Sequence, residues 1–123
     1  MLLVDYMKRK TYIIFTLCYA ALIFVISSFP MHVSLERGAD KTLHVIEYSI
    51  LGFLTLGCFK NRNLLPILIF AILISSLYGI SDEIHQHFVP GREFSILDIV
   101  ANSIGSLFGV LINFQFYRKG LIT

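Results

Sequence analysis

Four apolar stretches follow one another along the chain, each about as long as the hydrocarbon core of a bilayer is thick. They cover residues 12–29, 42–59, 64–85 and 96–116, with only short polar links between them. A chain written this way has few options. In lipid every backbone N–H and C=O must be satisfied within the segment, so each stretch reads as a helix. Apolar residues make up 56 % of the chain and mean hydropathy is +0.76, above the roughly 45–50 % of a soluble domain. At 123 residues the expectation is one domain, an all-α, integral membrane four-helix bundle.

The first stretch follows Lys8, Arg9 and Lys10, as a signal peptide would. Signal cores run only about 7–15 residues, and Ser27-Ser28-Phe29-Pro30 is a poor cleavage site, so a retained helix is expected. Net charge is +2 and no basic, aromatic-rich patch stands out, which argues against nucleic acid as a partner. Cys18 and Cys58 sit inside apolar runs and read as small buried side chains, not as a disulfide framework.

Lysine and arginine set the orientation. Lys8, Arg9, Lys10, Lys60, Arg62, Arg118 and Lys119 fall on one side of the spans, and Arg37, Lys41 and Arg92 on the other. The positive-inside rule then places both termini and the turn at 60–63 in the cytoplasm. The opposite side is acidic, with Glu36, Asp40, Glu47, Asp82, Glu83, Glu93 and Asp98.

One segment, residues 81–102, is polar for longer than any other. It contains the turn dipeptide Pro90-Gly91, and Ser95-x-x-Asp98 has the form of a helix start. Counting about 1.5 Å per residue from the inner helix ends puts Glu47 roughly 18 Å up, Asn102 roughly 21 Å, and Asp82 and Asp98 each roughly 27 Å. Three helices thus carry polar groups in one layer near the outer boundary, above an inner part that reads as nearly featureless. Steps of three and four residues put Asp40, His44, Glu47 and Tyr48 on one face, Asp82, His85 and Gln86 on another, and Ser95, Asp98 and Asn102 on a third. An ionisable group facing lipid costs a few kcal/mol or more, so these faces should turn inward and form a polar pocket. Asn102, Gly105 and Gly109 read as helix-packing positions.

The pattern Asp40-Lys41-x-x-His44-x-x-x-Tyr48-x-x-x-Gly52, Ser81-Asp82-Glu83-x-His85-Gln86-x-Phe88-x-Pro90-Gly91-Arg92 and Ser95-x-x-Asp98-x-x-x-Asn102-x-x-Gly105 resembles the VanZ-like family of small bacterial membrane proteins. The resemblance covers the second to fourth spans; the first matches only as an apolar helix. The family takes its name from a protein linked to low-level resistance to teicoplanin, a lipid-tailed glycopeptide acting on cell-wall precursors. The resemblance implies a multi-pass protein of the bacterial cytoplasmic membrane. It suggests a role in glycopeptide resistance and brings no catalytic mechanism with it.

Asp40, Lys41, His44, Tyr48, Asp82, Glu83, His85, Gln86, Arg92, Asp98 and Asn102 are therefore the expected binding residues. The preferred expectation is an outward-facing pocket that recognises an anionic or lipid-linked envelope molecule. A second is a membrane enzyme acting on such a molecule, with His44, Glu47, Asp82, Glu83, His85 and Asp98 as acid–base candidates. A third is an assembly protein whose polar layer only holds helices together. Arg92 would either grip an anion or pair with Asp98 or Asp82. Glu47, the deepest acid, would be protonated or bonded to a neighbouring helix, or would relay protons. His85-x-His87 diverges on a helix, and there is no H-E-x-x-H or cysteine pair, so no metal and no cofactor are expected.

Overall fold

The computed structural model describes residues 2–30 and 37–122, and the side chains from residue 8 and from residue 38 onward. Four helices are present: α1 (Leu2–Ser27), α2 (Arg37–Gly57), α3 (Leu65–His87) and α4 (Ile96–Arg118). Among the described residues there is no strand. α1 starts ten residues before the apolar run, because no proline or glycine interrupts the basic segment ahead of it. α2 also starts early. The polar link expected over 30–41 is thereby shortened, and Glu36 lies outside the described residues.

Three helical stretches are long and apolar enough to cross a membrane: Lys8–Ser27, Leu65–His87 and Ile96–Arg118. α2 has 21 residues, the length of a span, but it carries Arg37, Asp40, Lys41 and Glu47 in its first half. Its position accounts for that. α2 is the central helix, touching α1, α3 and α4, whereas α1 does not touch α4 among the described residues. Polar groups on α2 therefore meet protein where those of an outer helix would meet lipid. On the outer helices large apolar side chains such as Phe15, Leu17, Phe70, Leu77 and Phe108 point away from the bundle. Cys18 does so too, which corrects the expectation that it is buried; Cys58 is half-buried, with its thiol 3.3 Å from the Thr16 hydroxyl.

The α2–α4 pair is the most extensive contact, and small residues make it possible. A Cβ at Gly109 would collide with the backbone of Ser49 and Phe53, and one at Gly105 with the Val45 carbonyl. From the other side Gly52 rests on the backbone of Ser106. The two helices thus touch backbone to backbone, as small residues spaced by four allow in lipid. Apolar clusters complete the packing, Ile23, Tyr48 and Leu51 at one level, Leu56, Ala71 and Val110 at another.

The end of the bundle at the basic turn, expected to be nearly featureless, is not. Arg62, in the basic turn, is only 3 % exposed. It donates to the Phe59 and Gly57 carbonyls and to Asn113 Oδ1, and lies over the rings of Tyr12 and Tyr117. Asn113, fully buried, donates in turn to the Phe53 carbonyl at 2.7 Å. This knot ties α1, α2 and α4 together below the apolar clusters. A signal for it existed: Asn102, Gly105, Gly109 and Asn113 follow one another at three- and four-residue steps along one face of α4.

Candidate functional site

The loop between α3 and α4 positions the upper layer. α3 ends at His87 with Phe88 as its cap, and Val89 to Arg92 closes a turn through the bond from Arg92 N–H to the Val89 carbonyl. Pro90 holds the second position and Gly91, at φ 81°, the third, the requirement of a type II turn. The turn sends Arg92 back over the end of α1. There its Nε donates to the Phe29 carbonyl, Nη2 to the Ile26 carbonyl and Nη1 to Gln86 Oε1. Neither Asp82 nor Asp98 pairs with it directly, contrary to the expected ion pair. The free carbonyls at a helix C-terminus attract a cation, and α1 supplies them.

Ser95 caps α4 by accepting from the Asp98 N–H. In a capping box the acid three residues on would reach back to the N–H of the cap residue. Here Glu83 of α3, fully buried, takes that place, its Oε2 accepting from Ser95 N–H at 3.1 Å. Asp98 is thereby left free to face α2.

The layer divides into two groups. Between α2 and α4, Lys41 donates to both Asp98 Oδ1 and Asp40 Oδ2. His44 Nδ1–H donates to Asn102 Oδ1 at 3.0 Å. Its Nε2 faces Asp40 Oδ1 at 3.9 Å and Asp98 Oδ2 at 3.8 Å, beyond hydrogen-bond distance.

The second group lines a cleft of about 300 Å³ bounded by α1, α2 and α3. Its polar wall consists of Asp40, His44, Glu47, Asp82, Gln86 and Arg92, and Ile26, Leu43, Ile46 and Ile50 form its apolar side. Gln86 Nε2 donates to Asp82 Oδ2 at 2.8 Å, so Asp82, Gln86 and Arg92 form a chain. Asp82 Oδ1 is buried without a partner. Among the described residues the Glu47 carboxylate makes no hydrogen bond or ion pair; Tyr19 donates only to its backbone carbonyl. The expected bond from Glu47 to a neighbouring helix is therefore absent.

Not every expected residue joins these groups. Tyr48 is fully buried in the apolar cluster beneath them, its hydroxyl unpartnered. His85 turns to α1, with Nε2 2.9 Å from the Ser28 hydroxyl and the ring 4.4 Å from that of Phe24. His87 is exposed beside Phe88 and Phe94. The two histidines diverge as expected.

Membrane-length helices packed around one buried polar layer define a small membrane protein with a cleft at the edge of its apolar core. The chain belongs to the VanZ/LLP1 family, whose model matches residues 11–117. No significant match exists among curated proteins or among solved structures.

Proposed function

We propose that this is a cell-envelope protein of the bacterial cytoplasmic membrane whose cleft opens outward and holds the polar part of a lipid-linked envelope molecule. The observation that carries this reading is the lining of the cleft. Three carboxylates and an apolar wall share one space. Glu47 and Asp82 Oδ1 have spare acceptor capacity, whereas three of the five Arg92 N–H donors are already committed to the protein. Such a lining suits hydroxyls or amines better than a bare anion, with the tail of the ligand along Ile46 and Ile50. The outward direction follows from the lysine and arginine bias. Membership of a family named for teicoplanin resistance extends the proposal to glycopeptide susceptibility.

A rival reading, a membrane enzyme acting on such a molecule, draws on one observation. His44 Nε2 stands at the cleft wall facing two carboxylates.

Native mass spectrometry of the purified protein tests the proposal. A lipid-linked species should be retained by the parent and lost in Glu47→Gln and Asp82→Asn, and the same variants should return teicoplanin susceptibility to that of cells lacking the protein. Retention unchanged in both variants, or no retained species at all, would refute it.

A further inference from the structure

His44 presents an unusual arrangement for a residue more than nine-tenths buried. The Asn102 carbonyl oxygen can only accept, so Nδ1–H donates to it. The other ring nitrogen, Nε2, faces one oxygen of Asp40 and one of Asp98, both beyond hydrogen-bond distance. Three atoms able to ligate a metal converge on one point. The other oxygen of each carboxylate is turned away, towards the Lys41 ammonium.

We propose that Asp40, His44 and Asp98 form a site for a divalent transition-metal ion of the zinc class, set in the wall of the cleft. One donor atom from each residue lies within 4.8 Å of the other two. Two donors on one tetrahedral ion, each about 2.0–2.2 Å from it, stand about 3.3–3.6 Å apart. The observed 3.8 and 3.9 Å are within a small rotation of either carboxylate. The surrounding shell also has the form that metal sites use. A ligating histidine donates its other N–H to an oxygen, and ligating carboxylates are themselves hydrogen-bonded. Asn102 does the first and Lys41 the second. Lys41 keeps to the far oxygens, so it supports the ligands without standing in the ion's place. An imidazole donor favours zinc and its neighbours over calcium or magnesium. Three protein donors leave one tetrahedral position, and both Asp40 and His44 line the cleft. The inference stands apart from the identity of any organic ligand and departs from the sequence expectation of no metal. Motif spacing misses the set because two donors come from α2 and one from the far end of the chain.

The test uses the tag-free full chain in detergent, stripped with a chelator, dialysed and titrated with Co²⁺ and then Zn²⁺. One ion per chain is expected, with visible cobalt bands that zinc abolishes. His44→Ala and Asp98→Asn should remove binding, and Asn102→Ala should weaken it about 10–100-fold. A His85→Gln/His87→Gln chain should bind as the parent does, which separates the site from surface histidines. Uptake of only a substoichiometric, adventitious ion by the parent would overturn the proposal, and so would uptake that survives His44→Ala and Asp98→Asn. Should those variants fail to fold, the cobalt spectrum of the parent decides alone: no bands, no site.

Discussion

Arg92 spends each of its guanidinium nitrogens on the protein, two on the carbonyls that end α1 and one on Gln86. A lysine at this position keeps the charge, but its single ammonium cannot span three acceptors set by a rigid fork. Arg92→Lys should therefore destabilise the folded protein by about 1.5–3 kcal/mol, the range for hydrogen bonds to a charged group. Melting in detergent measures this, and an unchanged midpoint would show that the contacts carry no weight. The residue that the sequence leaves between an anion grip and an ion pair with Asp98 or Asp82 holds down the end of α1. The same lesson holds for Glu83. A buried glutamate in a polar segment invites an acid–base reading, yet its Oε2 stands in for the missing half of a helix cap. Residue types and spacing reveal that such groups lie at one depth. They cannot reveal which backbone end each one meets, because those ends belong to other helices.

Among the elements, the α2–α4 seam is the most exposed to a test. Gly105→Leu and Gly109→Leu would each drive a side chain into the α2 backbone, which has no rotamer to yield. Overpacking typically costs about 1–3 kcal/mol, and a collision with backbone belongs at the upper end. Gly38→Ala meets nothing within 4 Å and serves as the control. Thermal unfolding should drop clearly for the two leucine variants and stay level for the control; equal profiles would place the seam against lipid. This seam was legible in the sequence, since a G-x-x-x-G in an apolar run has a specific physical meaning. So were the four helices, the Ser95 cap and the divergence of His85 and His87. The knot of Arg62 and Asn113 was legible only in part: Asn113 continues the face of Asn102, Gly105 and Gly109, but an asparagine in an apolar stretch passes for a tolerated exception until its partner is known. The central place of α2 was not evident. Its charges look like a weak span when counted and like a protected core once its three neighbours are seen.

For the whole molecule the charge bias predicts a direction across the membrane. Single cysteines in a Cys18→Ala/Cys58→Ala background address it. Arg62 is too buried to carry the probe, so Asn63 and Glu93, both exposed, are the positions to use. An impermeant maleimide should label position 93 in intact cells and position 63 only after lysis; the reverse pattern would invert the orientation and turn the cleft inward. α1 is the least enclosed helix, and polar pins seat it. Its Ala20 carbonyl receives the Tyr78 hydroxyl, Ser28 meets His85, and Arg92 holds its end. All three partners come later in the chain.

The order of synthesis gives the backbone seam between α2 and α4 a consequence of its own. The ribosome delivers α2 long before α4, and at about 5–20 residues per second the wait lasts several seconds. Through that interval Ser49, Gly52 and His44 have no α4 to cover them, and Lys41 lacks Asp98. Arrival of α4 covers that face of α2 and pairs its charges in a single event.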